Sequence, residues 1–220
     1  MIQLSASKII KVCFLTLAFL CLSCSDQKKN TFKFFTSSNE EKPSLNIQKT
    51  NKKAEEALSF CKQKKFNTDF CILIDMSLHS GVNRFFIYDF NEKKITKKYL
   101  VGHGCGNYIW SWAQSKDSPG FSNEDGSHLS SLGKYKIGER GVSEWGIKVK
   151  YLMHGLEETN NNALKRAIVF HSWEKMEDNE IYPQGSPEGW GCPTVSNNAL
   201  REIDPILQET SKPVLMWIYN

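Results

Sequence analysis

Phe70-Cys71-Ile72-Leu73-Ile74-Asp75-Met76 is a short apolar run, of the length expected for one buried strand. Two similar runs follow at residues 84–90 and 95–101, and short turn-type links at 80–83 and 91–94 separate the three. Apolar runs joined by short polar links predict an antiparallel β meander. We therefore expect the folded part of the chain to be mainly β.

The remaining sequence adds further strands and two helices to this pattern. Apolar residues recur at helical spacing over residues 52–65 and 197–208, and Ser196 is a suitable N-cap for the second segment. Pro205 predicts a kink or an early end of that helix. Further strands are expected at residues 133–138, 147–153, 167–171 and 214–219. The expected architecture is a mainly β domain with one or two flanking helices.

The first 24 residues look like an export signal. Lys8 and Lys11 form a basic segment, and an apolar core follows at residues 12–22, shorter than the ~20 residues that span a bilayer. Because Cys21-Leu22-Ser23-Cys24 is similar to a lipobox, a lipoprotein-type signal peptide is expected over residues 1–23, with lipidation at Cys24. Leucine is usual where Cys21 stands, and an ordinary secretory signal or an uncleaved anchor is the alternative. Each alternative places the domain in the cell envelope, periplasmic or extracytoplasmic.

Charge and polarity divide the rest of the chain into a tether and a domain. Removing residues 1–23 takes away two lysines and no acid, so the formal charge falls from +4 to +2. Residues 24–53 are rich in Lys, Asn and Ser without apolar periodicity, which is typical of a flexible polar tether. The folded domain is then expected over residues 54–220. Its near-neutral charge does not indicate nucleic-acid binding, whereas the lipid anchor implies a membrane as a partner.

Four cysteines fall in the expected domain: Cys61, Cys71, Cys105 and Cys192. Their spacing is not that of a structural zinc site, so neither a metal nor another cofactor is expected. Cys61 and Cys71 could pair in an oxidising compartment or remain buried thiols. The glycines around His103 and Cys105 suit a tight loop. A zinc hydrolase that uses His103, Cys105 and His171 is a remote alternative.

Cys192 gives the clearest indication of chemistry. Gly191 precedes it, and a glycine lets the backbone turn sharply and lets a substrate approach closely. His171 ends an apolar strand run upstream of it, so its imidazole should emerge at a strand end. A cysteine with a histidine is the minimum set for a thiolate nucleophile and its base.

Several motifs over residues 70–219 resemble the L,D-transpeptidase catalytic domain family, in particular its murein L,D-transpeptidase catalytic domain-like branch. Each motif is weak alone, but they occur in the family's order over most of the domain. The matching stretches are Ser80-Gly81 with Arg84, Val101-Gly102-His103-Gly104, Phe121-Ser122-Asn123, Ser130-Ser131-Leu132-Gly133-Lys134-Tyr135, Gly155-Leu156-Glu157 with Asn162-Ala163, Arg166-Ala167-Ile168-Val169-Phe170-His171, and Trp190-Gly191-Cys192-Pro193.

The resemblance implies a β-sandwich-like fold and peptidoglycan stem peptides as the substrate. It implies that Cys192 is the nucleophile and His171 the base, with the Ser172 backbone carbonyl orienting the imidazole. The backbone N–H groups of Gly191 and Cys192 are suitable oxyanion donors. The implied reaction is acyl transfer through a thioester. An amine acceptor makes the enzyme a transpeptidase, and water makes it an L,D-carboxypeptidase.

Four residues are expected to contact the substrate: His103, Trp190, Tyr135 and Arg166. Trp190 adjoins the nucleophile, and the other three match the family motifs, although a supporting role in the core or cleft is an alternative for Tyr135 and Arg166. The tryptophans could together form a wall that binds sugar or peptide, or could be large core residues. These are Trp110, Trp112, Trp145, Trp173 and Trp190.

Two positions depart from the family pattern. Gly189 stands where serine is usual, and Thr194 stands where many members have arginine, a change that the branch shares. Losing the serine hydroxyl points to a low rate. It also leaves open a non-catalytic wall-binding lipoprotein whose cleft has decayed.

Overall fold

A computed structural model describes residues 41–220. The expected signal peptide and the expected lipidation site Cys24 lie outside the described residues. Two helices and eight strands form the described part, and the mainly β fold class with flanking helices is confirmed. In chain order they are α1 Ile47–Lys64, β1 Phe70–Asp75, β2 Phe85–Asp89, β3 Lys94–Tyr99, β4 Gly133–Val142, β5 Val149–Gly155, β6 Val169–Ser172, β7 Thr194–Val195, α2 Asn197–Gln208 and β8 Leu215–Tyr219.

All eight strands belong to one sheet, in the order β3-β2-β1-β8-β4-β5-β6-β7. The predicted antiparallel meander is confirmed, because β1 pairs with β2 and β2 pairs with β3 in antiparallel registers. The C-terminal strand β8 lies parallel to β1 and antiparallel to β4, and so joins the meander to the second half of the sheet. The last strand, β7, lies parallel to β6 at the opposite edge.

The two edges of the sheet approach each other beyond the end of β3. Gly102 forms an antiparallel bridge with Thr194 of β7, with the Gly102 N–H donating to the Thr194 carbonyl at 2.8 Å. A second bridge joins Gly104 to Gly189. The sheet is therefore nearly closed, and the segment from 102 to 105 meets residues 188–195 along its seam.

Alternate residues of the strands pack on the two faces of the sheet. Ile72 and Ile74 of β1 face the inner core with α2, whereas Cys71 and Leu73 face α1 on the outside. This alternation follows from the period of two in a β-strand. Two lysines cover Trp217 on the outer face of the sheet. The Nζ atoms of Lys53 in α1 and Lys134 in β4 lie 4.1 and 4.0 Å from the centroid of the Trp217 ring.

The helix boundaries differ from the sequence expectation. The helix expected at residue 52 begins at Ile47, because Asn46 is its N-cap and accepts a hydrogen bond from the Lys49 N–H. Residues 47–53, assigned to the tether by composition, are thus the first turns of α1 and carry the buried Thr50. Ser196 is the N-cap of α2 as predicted. The predicted bounds of α2, residues 197–208, are confirmed; of the two effects expected from Pro205, an early end does not occur, because buried Ile203 and Leu207 hold the helix to Gln208.

Strand boundaries differ by smaller amounts. The strand expected at 133–138 continues to Val142, and β5 and β6 each begin two residues later than expected. The two-residue strand β7 was not predicted. Within residues 41–220, no helix is long and apolar enough to cross a membrane.

Candidate active site

The seam of the sheet brings His171 and Cys192 to one cavity. His171 lies on β6 and pairs in register with Thr194 of β7 on one side and with Lys150 of β5 on the other. Cys192 lies two residues before β7. Both side chains line a cavity of about 260 Å³. Two residues that are well separated in the sequence are therefore neighbours in the fold, as the Cys–His hypothesis requires.

The His171 imidazole is held by a single backbone acceptor. Its Nδ1 lies 2.9 Å from the Ser172 carbonyl oxygen, and because a carbonyl only accepts, Nδ1 carries the proton. In the neutral ring, Nε2 is then unprotonated. Burial lowers the pKa of His171, the Ser172 carbonyl acts in the opposite direction, and Lys150 lowers the pKa further. The geometry therefore favours a neutral imidazole with a proton-accepting nitrogen.

The Cys192 thiol is half-buried next to this imidazole. Its Sγ accepts a hydrogen bond from the Val169 N–H at 3.4 Å. Burial raises the pKa of Cys192, while the Val169 N–H, Arg166 and Lys150 act in the opposite direction. The resting pair is thus a thiol beside a neutral imidazole. Within residues 41–220 no hydrogen bond joins Sγ to His171, so the thiol must turn toward Nε2 to transfer its proton.

Thr194 lies between the two groups. Its Oγ1 is 3.4 Å from His171 Nε2 and donates to the Cys192 carbonyl at 3.1 Å. A threonine hydroxyl has one proton and two acceptor lone pairs. The hydroxyl proton is used by the Cys192 carbonyl, and a lone pair faces Nε2. The residue that departs from the family's common arginine therefore contacts the nitrogen expected to take the thiol proton.

The turn before the nucleophile requires glycine at one position and not at the other. Gly191 has φ +101°, and a Cβ there would lie 2.5 Å from the Leu129 carbonyl oxygen. A Cβ at Gly189 would meet nothing within 4 Å. The Gly191 carbonyl accepts from the Ser130 hydroxyl at 3.1 Å, which fixes the turn. The position of Gly189 has room for a Cβ, so the backbone does not require glycine there.

Aromatic rings enclose the cavity of His171 and Cys192 on its outer side. Its tryptophan rings pack against Trp110 in tilted orientations. The Trp110 ring centroid lies 5.0 Å from that of Trp173 and 6.3 Å from that of Trp190. Trp190 is 62% exposed and stacks on His128 at 5.3 Å. The expectation that Trp190 lies in the cleft fits this position. The lining residues are Trp110, Trp145, His171, Trp173, Gly189, Trp190, Cys192 and Thr194.

A second cavity of about 340 Å³ also reaches His171 and Cys192. Lys150 and Glu144 give it charge, and Leu164 and Ile168 give it apolar surface. Trp145 lines both cavities. The thiol and the imidazole therefore face two compartments of different chemistry, one aromatic and one charged.

His103, which the resemblance indicated as a substrate contact, does not line either cavity. The ring is fully buried, its Nδ1 lies 2.7 Å from Arg84 Nη2, and its Nε2 lies 2.9 Å from Ser115 Oγ. An arginine only donates, so both ring nitrogens are used. The family motif at this position supports the seam: the His103 carbonyl accepts from the Gly189 N–H at 2.8 Å.

Tyr135 and Arg166 also support the site instead of lining it. Tyr135 is fully buried in the inner core and donates to the Ser131 carbonyl at 2.8 Å. Arg166 binds the loop around residue 127 through the carbonyls of Ser122 and Leu129 and through two serine hydroxyls. These positions fit the supporting role that the sequence left open for both residues, because the Arg166 guanidinium is taken up by the loop at residues 122–131.

The other cysteines and the zinc alternative gain no support from the fold. Cys61, Cys71 and Cys105 are free and buried, so Cys61 and Cys71 are not joined by a disulfide. Burial raises the pKa of Cys61 to about 11. Across residues 41–220 no group of three His, Cys, Asp or Glu side chains is arranged to hold a metal ion.

Sequence reasoning missed two residues that lie at the site. Thr194 was noted only as a departure from the family, and Lys150 was not noted at all. Thr194 could have been found from its place two residues after the nucleophile. Lys150 carries no local signal, because only the antiparallel register of β5 with β6 places it opposite His171.

A few solved structures are similar to this chain. The cell shape determining protein Pgp2 from Campylobacter jejuni has 15% identity and a TM-score of 0.41 over 69% of this chain and 47% of that one. The Ldtfm–avibactam carbamoyl enzyme has 9% identity and a TM-score of 0.39 over 69% and 49%. An L,D-transpeptidase from Xylanimonas cellulosilytica has 10% identity and a TM-score of 0.35 over 68% and 60%. The aligned part of this chain therefore spans about half the length of the first two.

The family comparison covers nearly the whole described chain. No curated protein matches the sequence. The sequence pattern of the L,D-transpeptidase catalytic domain matches residues 41–219. This span begins before α1 and ends at the last residue of β8. The chain belongs to the L,D-transpeptidase catalytic domain family.

Proposed function

We propose that this protein is a cysteine-dependent L,D-transpeptidase that acts on peptidoglycan stem peptides through a thioester acyl-enzyme. Family membership supports a peptidoglycan-related, transpeptidase-like function. The observation that carries the cysteine mechanism is that Cys192 and His171 line one cavity, with His171 Nδ1 bound to the Ser172 carbonyl and Nε2 left to accept a proton.

The first half-reaction forms the thioester. His171 Nε2 takes the Cys192 proton as Sγ attacks the carbonyl carbon of the third stem residue, which makes a tetrahedral oxyanion. The oxyanion collapses, the bond to the nitrogen of the terminal D-alanine breaks, and that nitrogen leaves with the proton from the His171 imidazolium. The backbone N–H groups of Gly191 and Cys192 are the proposed oxyanion donors, and one such donor contributes about 10²–10³ in rate.

The second half-reaction releases the acyl group. An amine of a second stem attacks the thioester carbon, gives its proton to His171 Nε2, and expels the Cys192 thiolate, which recovers the proton. Water in place of the amine gives a carboxylic acid, and the enzyme is then an L,D-carboxypeptidase.

The protonation states support general-base catalysis over a preformed ion pair. Burial raises the pKa of Cys192 and lowers that of His171, so both groups are neutral at rest. The thiolate forms as the proton moves to Nε2, and a neutral histidine is the form able to accept it.

We assign the substrate wall to Trp190 with Trp110 and Trp145. Each is more than a third exposed, and all line the cavity beside Cys192. Flat aromatic faces with one polar N–H suit the apolar faces of sugars and peptides. Trp112 is 57% exposed but does not line this cavity, so it is left outside the wall.

We also propose that lipidation at Cys24 anchors the protein to a membrane. A cell-wall-related domain indicates an extracytoplasmic or periplasmic location. Lipidation at Cys24 would hold the domain at a membrane, and the sequence from Cys24 to the start of α1 would give it reach. The intact mass of the detergent-extracted protein tests this proposal: we expect a chain that begins at Cys24 and carries added lipid mass, and we expect Cys24→Ala to lack that mass. A wild-type protein without added lipid mass contradicts lipid anchoring at this residue.

Mass spectrometry of the full chain incubated with disaccharide-tetrapeptides tests the proposed activity. A cross-linked dimer that has lost D-alanine, absent with Cys192→Ala, is the expected result. A trapped acyl-enzyme on Cys192 would add the mass of the acyl group to the intact protein. Monomer without D-alanine indicates the carboxypeptidase. Equal activity of wild type and Cys192→Ala contradicts the cysteine mechanism.

A further inference from the structure

The second cavity beside Cys192 contains a lysine whose ammonium group is not used by the fold. We propose that Lys150 is a carboxylate-binding subsite for the peptide substrate, a role that rests on the proposed function of Cys192. The carboxylate belongs either to the departing D-alanine of the donor or to an acceptor whose amine and carboxylate share one carbon.

The register of the sheet directs Lys150 toward the reacting groups. Lys150 of β5 lies directly opposite His171 of β6 in an antiparallel pair, and residues directly opposite each other project from the same face of a sheet. Both line the second cavity, as does Cys192. A ligand group held at Lys150 would therefore share this cavity with the thiol.

The N–H donors of the Lys150 ammonium group are not used by hydrogen bonds within the described residues. Lys150 is half-buried, and within residues 41–220 its Nζ makes no hydrogen bond or ion pair. Its neighbour Lys148 differs, because Lys148 Nζ donates to the Glu144 carbonyl. An ammonium carries three N–H donors, and buried charges are normally paired. The cavity therefore leaves a cation open to an anionic group.

The chemistry of the reaction supplies such a group close to the sulfur. The D-alanine that departs carries its carboxylate on the carbon bonded to the departing nitrogen. An acceptor amine with a carboxylate on the same carbon presents the same group when it attacks. Glu144, the acidic residue of the lining, is exposed at the edge of the cavity, where it would repel a carboxylate bound far from Lys150 and attract the accompanying amine.

The competing explanation is that Lys150 acts only on the reacting pair. Its charge lowers the pKa of both His171 and Cys192. That effect would be the same for every substrate, whereas a binding subsite discriminates between substrates that have and lack the carboxylate. Substrate pairs that differ by one group therefore separate the two roles.

The test compares a tetrapeptide donor that has a free C-terminal carboxylate with the same donor as a carboxamide. Lys150→Gln is expected to lower kcat/KM for the acid donor by about 10- to 100-fold, as for a hydrogen bond to a charged group, mainly through KM. The carboxamide donor should lose less than about threefold. Lys148→Gln is the matched control, and it should leave both donors unchanged.

A second arm varies the acceptor, with amines that have or lack a neighbouring carboxylate. Loss confined to the carboxylate-bearing acceptor assigns the subsite to the acceptor, and loss confined to the acid donor assigns it to the leaving group. Equal losses for all substrates overturn the subsite and leave Lys150 as a pKa-tuning residue.

A binding measurement on an inactive variant tests the Lys150 subsite independently of the proposed activity. The full chain carrying Cys192→Ala is titrated with the acid and carboxamide donors and with the acceptors that have or lack the carboxylate, with and without Lys150→Gln. The subsite requires that Cys192→Ala prefers the carboxylate-bearing member of at least one pair and that the double variant does not. If wild type turns over no substrate but this preference is found, the proposed activity fails and the subsite stands. Equal affinities within both pairs in Cys192→Ala overturn the subsite.

Discussion

Two histidine–cysteine neighbourhoods lie along the seam of the sheet, and only one is a candidate for catalysis. His103 and Cys105 are close neighbours in the sequence, yet both are buried and Cys105 is 2% exposed. His171 and Cys192 are far apart in the sequence and share a cavity. Proximity in the sequence is therefore a poor guide here, because strand pairing decides which side chains meet.

The two imidazoles differ in which nitrogen carries the proton. His103 Nδ1 accepts from Arg84, so its Nε2 holds the proton and faces the Ser115 hydroxyl. His171 Nδ1 donates to the Ser172 carbonyl, so its Nε2 is bare and faces the cavity. One ring is a structural cross-link with both nitrogens engaged, and the other has a nitrogen available for proton transfer.

The largest expected effect is the loss of activity in His171→Gln, set against His103→Gln. Removing a general base costs about 10²–10⁴ in rate, so His171→Gln should lower kcat/KM by that factor with little change in Tm. His103→Gln should instead lower stability by about 1–3 kcal/mol, because a buried donor loses its partner. Steady-state kinetics and thermal unfolding of both variants check the pair. Similar kinetic losses in both would contradict the division of roles.

The next effect concerns the turn that presents Cys192. Gly191→Ala should destabilise the protein by about 1–3 kcal/mol, since φ +101° is strained for a residue with a side chain, and the new Cβ would press on the Leu129 carbonyl. Gly189→Ala should have a Tm close to wild type, because nothing lies within 4 Å of its Cβ position. Differential scanning calorimetry on the two variants gives the comparison. A destabilised Gly189→Ala would show that the turn is tighter than the structure indicates.

The sequence predicts the first half of the fold better than the second. Residues 70–101 form their meander through contacts between neighbours in the chain, so local pattern is enough. The placement of β8 between β1 and β4 depends on contacts between segments far apart in the chain, and no local pattern encodes it. The two-residue β7 is below the length at which periodicity is visible, although it carries Thr194.

The residues of the candidate site also differ in how far the sequence predicts their positions. The sequence predicts the Cys192–His171 pair from their residue types and the Ser172 carbonyl from the resemblance, and the structure brings the pair to one cavity, with the Ser172 carbonyl bound to His171 Nδ1. The sequence does not decide whether His103 and Tyr135 contact the substrate, because a motif match does not distinguish a buried support from a residue of the cleft. Both are fully buried, and burial depends on the whole sheet. Lys150 escapes notice for the opposite reason, since its only distinction is a cross-strand partner.

The pH dependence of kcat/KM should report the protonation of His171. Burial lowers the pKa of His171 below 6.5, and Lys150 adds to this while Glu174 opposes it. The neutral ring is active, so the acid limb of kcat/KM should have its midpoint below 6.5 and a plateau through neutral pH. An acid-limb midpoint above 6.5 would contradict a neutral, buried base.

The stability of the protein should also decrease at acidic pH. Burial and the Arg84 charge lower the pKa of His103, so the unfolded chain binds the proton more readily than the folded one. The free energy of unfolding should then decrease as the pH falls below about 6.5. Urea unfolding between pH 7 and 5 measures this slope. His103→Gln should make it shallower.

The smallest expected effect concerns the hydroxyls that face the two Nε2 atoms. Thr194 Oγ1 lies 3.4 Å from His171 Nε2, and Ser115 Oγ lies 2.9 Å from His103 Nε2. When His171 takes the thiol proton, its Nε2–H can donate to Thr194 Oγ1, so this hydroxyl stabilises the imidazolium only during the reaction. A hydrogen bond contributes a net ~0.5–1.5 kcal/mol. Thr194→Val should therefore lower kcat about 2- to 10-fold.

Two further variants distinguish this effect from a change in packing. Thr194→Ser keeps the hydroxyl and should retain most of kcat, whereas Ser115→Ala removes the corresponding hydroxyl at His103 and should change Tm without changing kcat. Because His103 keeps the same proton throughout the reaction, its hydroxyl partner cannot discriminate between ground state and transition state, and only interactions that strengthen in the transition state raise kcat. Equal kinetic losses in Thr194→Val and Ser115→Ala would mean that both hydroxyls act through the shared seam.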